Sequence, residues 1–255
     1  MKILIVNKFY YTRGGDCIYA IELEKLLRNT GHEVAFFAMN YPQNLNCKWE
    51  TFWPSEIAFT PKKPLQFLKA FIRPFGDIET KKKFTKLLDT FNPDILHLNN
   101  IHTQLSPIIA EIAHQRGIKV IWTLHDYKLL CPAYSCISNN TICEKCFDGN
   151  KRNCIINKCL KNSRLASFIA TKEAETWNRE RLEQSVDIFI CPSHFMKQKM
   201  EQGGFNTNKL HVLHNFINPE KLKGELPPKS NYYCYVGRLS EEKGVKTLLS
   251  ASCQL

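Results

Sequence analysis

Short apolar segments alternate with longer amphipathic segments along most of the chain. The first apolar segment, Lys2–Val6, is followed by residues 16–29, whose apolar side chains fall largely on one helical stripe that ends at Gly31. Further strands are predicted at residues 33–39, 94–98, 119–124, 186–191 and 210–213. Strands that are buried on both faces and separated by helices form parallel sheets. The pattern therefore predicts an α/β fold with a Rossmann-like, doubly wound parallel sheet.

Polar residues gather near the points where these predicted strands end. Gly14 and Gly15 follow the first strand and directly precede a helix, whose exposed N–H groups can meet an anion or a sugar, although glycines there are also ordinary turn residues. The polar residues near the ends of the third and fourth strands are His97, Asn99, Asn100, His102, His125 and Asp126. Ligands of such sheets bind at the carboxyl ends of strands, so this set indicates a binding site, whereas a single histidine is more often structural.

The hydrophobic content indicates a globular chain without a membrane span. Of the 255 residues, 44% are hydrophobic, which is enough for the core of one large or two modest domains. The opening apolar run, MKILIV, is too short for a signal sequence, and no later run approaches the roughly 18 apolar residues of a span. We therefore expect a cytoplasmic protein with reduced thiols.

Part of the net charge of +11 is concentrated between residues 62 and 89, a stretch that holds eight basic and three acidic residues. A basic patch attracts anionic lipid, nucleic acid or phosphorylated substrate without distinguishing among them. A solvated helix face would have the same composition. One expectation from this stretch is peripheral contact with the inner face of an anionic membrane.

Several short motifs occur in a specific order along almost the whole chain. They are "RGGD", "HLNNIHTQLSP", "WTLHDYKLLCP", "CPSHFMKQKM", "VLHNFINPE" and "YVGRLSEEKG". In this order they resemble the retaining glycosyltransferases of family 4, whose GT-B fold has two Rossmann-like domains that face each other across a cleft. The resemblance implies transfer of a sugar, with retention, from a nucleotide-sugar donor to a cell-envelope polysaccharide or a lipid-linked acceptor. It implies no organic cofactor.

The same resemblance assigns roles to individual residues. Arg238 and Lys243 match the basic pair that stabilises the donor diphosphate, and His125 matches an active-site histidine that hydrogen bonds the transferring sugar or the acceptor. These three residues are the catalytic candidates. The substrate-binding candidates are Gly14, Gly15, Asp16, Asn100, His102 and Asp126. Cys17 departs from the family pattern, because many relatives have Glu at this position.

The resemblance also predicts how the chain is organised. Residues 1–214 are expected to form the acceptor-side domain with a cysteine-rich insert at 131–164, and residues 215–230 are expected to form a linker. Residues 231–255 are expected to begin the nucleotide-sugar domain with a strand at 232–236 and a helix that the terminus cuts short. We therefore expect a truncated glycosyltransferase that is inactive by itself.

The insert contains six cysteines between residues 131 and 159. Cys143 and Cys146 have the spacing of a metal-binding turn, and Cys154 with Cys159 would complete a four-thiolate zinc site; simple buried thiols are an equal alternative. Cys131 and Cys136 are substitute ligands. Interleaved basic residues make a zinc-knuckle nucleic-acid-binding protein the rival function, although a stacking platform of aromatic residues is largely lacking.

Overall fold

Buried apolar strands organise the first part of the chain in the computed structural model, which describes residues 1–57, 64–218, 228, 230, 232, 234–239 and 243–253. The chain divides into two units, Met1–Phe216 and Ile217–Leu255. The strands of the first unit are β1 (Lys2–Val6), β2 (Glu33–Phe37), β3 (Ile95–Leu98), β4 (Lys119–Thr123), β5 (Ile137–Ser138), β6 (Thr141–Ile142), β7 (Ile188–Cys191) and β8 (Leu210–Val212). The β5–β6 pair is a small antiparallel hairpin inside the cysteine-rich insert.

The remaining strands form one parallel sheet in the order β2-β1-β3-β4-β7-β8. Most of their residues are buried, as the continuous apolar runs predict. The predicted α/β fold with a doubly wound parallel sheet is therefore confirmed. Since β2 and β3 lie on opposite sides of β1, the order of the strands changes direction at β1. The topological switch point of the sheet therefore lies between β1 and β3. Doubly wound sheets bind their ligands at the carboxyl ends of the strands beside such a switch point.

Helices connect the strands and cover the sheet. They are α1 (Gly15–Asn29), α2 (Pro64–Ile72), α3 (Ile78–Phe91), α4 (Ile108–His114), α5 (Arg152–Ile156), α6 (Arg164–Thr176), α7 (Arg179–Ser185), α8 (His194–Gln202) and α9 (Val245–Ser252). Several begin at side chains that accept a hydrogen bond from the first turn: Asp77 caps α3, Ser163 caps α6 and Ser193 caps α8.

Some predicted boundaries differ from the structure by one or two residues. The second strand was expected to reach residue 39, but β2 ends at Phe37 because the Met39 N–H donates to the Lys8 carbonyl, which lies beyond the end of β1. The strand expected at 186–191 begins two residues later, at Ile188. These differences leave the order and direction of the strands unchanged.

The second unit contains helix α9, which follows Gly244 with its positive φ of 66°. The helix predicted near the end of the chain is therefore present. Of the strand predicted at 232–236, the described residues 232 and 234–236 are not assigned to a strand, and residue 233 lies outside the described residues. Much of the predicted linker at 215–230 lies outside the described residues, and the domain division stays a prediction.

Candidate functional site

The carboxyl ends of β1, β3 and β4 meet in a network built from backbone groups and asparagine side chains. The Asn99 N–H donates to the Val6 carbonyl at 2.9 Å, and the Asn100 N–H donates to Asn7 Oδ1 at 3.1 Å. The Asn100 carbonyl accepts in turn from the Lys8 N–H at 3.0 Å. These bonds fix the segments that follow β1 and β3 against each other. The predicted site residue Asn100 therefore lies at the switch point between β1 and β3.

His125 lies directly beyond β4 at the same edge of the sheet and is half-buried. Its Nε2 is 3.0 Å from Asn99 Oδ1, and the edge of its ring packs against Tyr19 of α1 with centroids 5.1 Å apart. Burial lowers the pKa of His125 to about 4, although the negative charge of Asp16 acts in the opposite direction. His125 is therefore a neutral imidazole near neutral pH.

The turn between β1 and α1 supplies Gly14, Gly15 and Asp16. Gly14 is the extended residue that precedes α1, and a methyl group placed on Gly15 would meet no atom within 4 Å among the residues that the structure describes. Asp16 lies in the first turn, and its Oδ2 is buried without a hydrogen-bond partner in the described part of the chain. A buried carboxylate oxygen without a partner is costly, so this atom is suited to accept a hydrogen bond from a ligand.

The segment after His125 is fastened by a second set of polar contacts. Asp126 Oδ1 accepts from the Lys128 N–H at 2.9 Å and lies 4.0 Å from His102 Nε2. Burial raises the pKa of Asp126 and lowers that of His102 well below its ordinary value. His102 is therefore neutral, and its contact with Asp126 is polar rather than an ion pair. These two predicted site residues lie together beside His125.

A buried ion pair supports this arrangement. Lys128 Nζ lies 3.0 Å from Glu173 Oε2 of α6, and both side chains are less than 10% exposed. Glu173 Oε1 also accepts from the Thr103 N–H at 2.7 Å, which fastens the loop that contains His102. Sequence reasoning missed both members of the pair. A Lys within "HDYKLLCP" was the only signal, and nothing in the local pattern connects it to Glu173.

His97 has a structural role. It lies within β3, is 8% exposed, and its Nε2 is 2.8 Å from the Thr123 hydroxyl on the neighbouring strand β4. Burial lowers its pKa to about 4, so the imidazole stays neutral inside the sheet. The sequence pattern groups His97 with the site residues because it lies near a strand end, but its side chain contacts Thr123 within the sheet.

Arg238 and Lys243 belong to the second unit and are both exposed. The Arg238 carbonyl accepts from the Tyr235 hydroxyl at 2.8 Å, and Lys243 precedes the Gly244 cap of α9. Gly237 lies within this turn, and a Cβ there would come within 2.7 Å of the Tyr235 oxygen. The Tyr235 hydroxyl is the far end of a side chain that can move aside, so this close approach does not by itself require glycine.

The insert is anchored to the first unit by hydrogen bonds. Lys151 Nζ donates to the carbonyls of Leu130 and Cys146 at 2.7 and 2.6 Å. Thr171 of α6 donates from its hydroxyl to the Lys151 carbonyl at 3.2 Å. The insert is therefore held against α6 and against the segment that follows His125.

The six cysteines of the insert are free thiols. A hydrogen bond between the Cys131 and Cys136 thiols lowers the pKa of Cys131 to about 6, and the Cys159 thiol lies 3.9 Å from the Ser138 hydroxyl. Within the described residues, no group of three or more His, Cys, Asp or Glu side chains is placed to hold a metal ion. The four-thiolate zinc site predicted at Cys143, Cys146, Cys154 and Cys159 is therefore not assembled among the described residues.

Helix α2 exposes an apolar surface. None of its residues is buried, and its exposed large apolar side chains are Leu65, Phe67, Leu68, Phe71 and Ile72. Of the basic residues predicted to form a patch at 62–89, Lys62 and Lys63 lie outside the described residues, whereas Lys81, Lys82 and Lys86 of α3 are exposed. No helix in the described ranges has the length and apolar composition needed to cross a membrane.

Comparison with known proteins gives a family match over most of the chain. The model of the family "Glycosyltransferase Family 4" matches residues 13–221, a range that includes the candidate site residues from Gly14 to Asp126 and the cysteine-rich insert but not Arg238 and Lys243. N-acetyl-alpha-D-glucosaminyl L-malate synthase from Bacillus anthracis is 27% identical over 127 residues, which are 49% of this chain and 32% of that protein. The match thus spans about a third of that relative's length.

One solved structure shows the same fold at low sequence identity. Sucrose-phosphate synthase from Thermosynechococcus elongatus has a TM-score of 0.55 and 15% identity, and the match covers 100% of this chain and 60% of that chain. HepE from Anabaena, solved in complex with UDP-glucose, has a TM-score of 0.45 and 14% identity over 86% of this chain and 45% of that chain.

Proposed function

The chain belongs to Glycosyltransferase Family 4, and from this premise we propose that it serves the transfer of a sugar from a nucleotide-sugar donor. The single observation that carries the proposal is that a neutral His125, beyond the end of β4, lies within electrostatic range of Asp16, whose Oδ2 has no hydrogen-bond partner among the described residues. Hydrogen-bonding groups of this kind suit the hydroxyls of a sugar. We propose a cell-envelope polysaccharide or a lipid-linked glycan as the acceptor.

The sugar is proposed to lie against the turn that precedes α1. The open space at Gly15 lets a ligand approach the N–H groups of the first turn, where the helix dipole favours an electronegative group. Asp16 Oδ2 would accept a hydrogen bond from a hydroxyl of the sugar. Because Asp16 carries negative charge, it suits a sugar hydroxyl better than a phosphate oxygen. Asn100, His102 and Asp126 would line the acceptor side.

The donor diphosphate is proposed to be bound by Arg238 and Lys243. As the bond between the sugar and the diphosphate breaks, negative charge develops on the leaving oxygen, and two cations held in place beforehand stabilise that charge. The acceptor hydroxyl would attack the face from which the diphosphate departs, so that the anomeric configuration is retained. His125 binds the sugar in this scheme and is not a nucleophile.

The acceptor is proposed to be reached at an anionic membrane surface on the cytoplasmic side. Exposed leucine and phenylalanine side chains on α2 can enter the boundary of a lipid layer, and the exposed lysines of α3 attract anionic headgroups. Lys82 and Lys86 are four residues apart, so they share one face of α3. This combination supports a lipid-linked acceptor.

The alternative function, a zinc-knuckle nucleic-acid-binding protein, is not favoured. The family match at 13–221 includes the whole insert at 131–164. Among the described residues, the thiols of the insert belong to no group that could hold a metal ion. The hydrogen bond between Thr171 and the Lys151 carbonyl also holds the insert against α6, so the insert is a structural part of the first unit.

The test is a sugar-transfer assay on the protein expressed from its complete open reading frame, because the 255-residue chain by itself is expected to be inactive. Radiolabelled nucleotide sugars are supplied with a lipid and glycan extract of the cell envelope, and labelled product is separated from free sugar. We expect transfer by the wild type, a loss of roughly a hundredfold in His125→Ala, and unchanged transfer in His114→Ala, whose exposed histidine lies on α4. Absence of transfer from every nucleotide sugar, or equal activity in both variants, would overturn the proposal.

A further inference from the structure

Asn99 is held at the junction of three strands. Its N–H donates to the Val6 carbonyl at the end of β1, and its own carbonyl accepts from Trp122 Nε1 of β4 at 2.8 Å. Its side-chain Nδ2 donates to the same Val6 carbonyl at 3.3 Å. The residue is 1% exposed. The two backbone contacts fix the position of the residue, and the side-chain contacts to the Val6 carbonyl and to His125 fix the orientation of the amide.

That orientation determines which atom of the amide faces His125. A carbonyl oxygen only accepts hydrogen bonds, so the amide group beside the Val6 carbonyl must be the NH₂. The reversed amide would bring two acceptor oxygens together in a buried place, which costs free energy. Asn99 therefore turns Oδ1 towards His125 Nε2, at 3.0 Å.

The orientation of the amide in turn determines the tautomer of His125. Asn99 Oδ1 can only accept, so His125 Nε2 must carry a proton. A neutral imidazole has one proton, and His125 is neutral near neutral pH because its partial burial lowers its pKa. Its Nδ1 is consequently a bare nitrogen that accepts a hydrogen bond.

We propose that Asn99 is a positioning residue that holds His125 as the Nε2–H tautomer, so that Nδ1 accepts a hydrogen bond from a hydroxyl of the substrate. The part that concerns the substrate rests on the proposed function, whereas the tautomer does not. A neutral amide is suited to this task because a carboxylate at the same place would favour a protonated imidazolium. An imidazolium has two donor nitrogens and cannot accept a hydrogen bond from a hydroxyl.

The tautomer is measured directly by long-range ¹H–¹⁵N correlation spectra of the histidine side chains in the full chain at pH 7. We expect the His125 Nε2 resonance to be that of a protonated nitrogen and the Nδ1 resonance to be that of a bare one. In Asn99→Leu the acceptor is lost, and we expect the two tautomers to mix. In Asn99→Asp we expect the pKa of His125 to rise. The exposed control Asn208→Asp should leave the His125 spectrum unchanged.

The transfer assay adds a second readout. We expect Asn99→Leu to lower kcat/KM by roughly tenfold, the effect of one hydrogen bond, and Asn99→Asp to shift the acidic limb of the pH profile to higher pH. A wild-type spectrum with a protonated Nδ1, or an unchanged tautomer in Asn99→Leu, would overturn the proposal. If Asn99→Leu does not fold, the wild-type spectrum and Asn99→Asp still decide the question. The expected spectrum without any sugar transfer would refute the proposed function alone.

Discussion

Lys128 and Glu173 are 45 residues apart in the sequence and form an ion pair of 3.0 Å in which both side chains are buried. The pair joins two parts of the site. Lys128 lies three residues beyond His125, and its Nζ also donates to the Pro132 carbonyl at 2.8 Å. Glu173 accepts from Thr103, whose φ of 54° is unusual for a residue with a branched side chain. The ion pair therefore holds the loop after β3 and the segment after β4 at a fixed separation.

Removal of one partner from this pair should destabilise the fold strongly. In Glu173→Gln the buried Lys128 ammonium loses its counter-charge, so we expect the free energy of unfolding to fall by about 3–5 kcal/mol. Urea denaturation monitored by tryptophan fluorescence measures the change.

The matched control is Lys172→Ala on the same helix. Lys172 pairs with Glu175 at 2.7 Å, but the two side chains are 50% and 38% exposed, so we expect a change of at most about 0.5 kcal/mol. Similar losses in Glu173→Gln and Lys172→Ala would mean that burial does not strengthen the pair.

Stability should fall as the pH is lowered from about 6.5 towards 4. Burial lowers the pKa of His97 and His125 to about 4 and that of His102 well below its ordinary value, whereas the unfolded chain titrates near 6.5. Between these values the unfolded state binds protons that the folded state does not, so acid favours unfolding. Each histidine contributes at most about 1.4 kcal/mol per pH unit.

Denaturation midpoints measured between pH 7 and pH 4.5 test this linkage. We expect His97→Gln to be less stable than the wild type at pH 7 but to lose less stability on acidification, since one of the titrating groups is gone. The exposed His114→Gln variant should keep the wild-type slope. A slope that is the same in all three proteins would contradict the assignment of His97 as a neutral buried group.

Much of the fold follows from local pattern. Continuous apolar runs in the segments that become β1, β3 and β4 predict strands buried on both faces, and such strands require a parallel sheet covered by helices. Gly14 and Gly15 were assigned correctly to the turn before α1, and His125 to the end of β4, because turns and strand ends are themselves read from local sequence. The end of β2 was placed too late, since Met39 bonds to Lys8, a contact between distant segments.

The contacts that shape the site could not be predicted from the sequence. Asn99 touches His125 across 26 residues, and Lys128 touches Glu173 across 45, so neither pair has a local signature. The cysteines show the same limit. The spacing of Cys143 and Cys146 indicates a turn, but whether Cys154 and Cys159 complete a cluster depends on how the insert packs on α6.

Binding to anionic membranes should depend on the apolar face of α2. In Phe67→Ser with Phe71→Ser, two exposed apolar side chains are lost, and we expect affinity for vesicles of phosphatidylglycerol and phosphatidylcholine to fall roughly tenfold or more. Charge reversal in Lys82→Glu with Lys86→Glu should weaken binding and reduce its dependence on salt. Vesicle co-sedimentation measures both effects.

The control for this experiment is Ile156→Ser, which removes a side chain that is 72% exposed on α5 of the insert. It should bind vesicles as the wild type does. Equal binding of all variants, or equal binding to vesicles of phosphatidylcholine alone, would contradict a membrane role for α2.

A substitution at Gly15 tests whether the turn before α1 binds substrate or is an ordinary turn. Its backbone lies outside the left-handed region, and a Cβ there meets no described atom within 4 Å, so the fold has no need of glycine at this position. Alanine also favours helix more than glycine does. We therefore expect Gly15→Ala to unfold at the same urea concentration as the wild type or at a slightly higher one.

If the sugar and diphosphate approach this turn, the added methyl group occupies their space, and KM for the nucleotide sugar should rise roughly tenfold. The control is Leu26→Ala, an exposed position on the same helix, which should keep the wild-type KM. A stable Gly15→Ala protein with unchanged KM would show that Gly14 and Gly15 form only a turn, and that the substrate binds elsewhere along the strand ends.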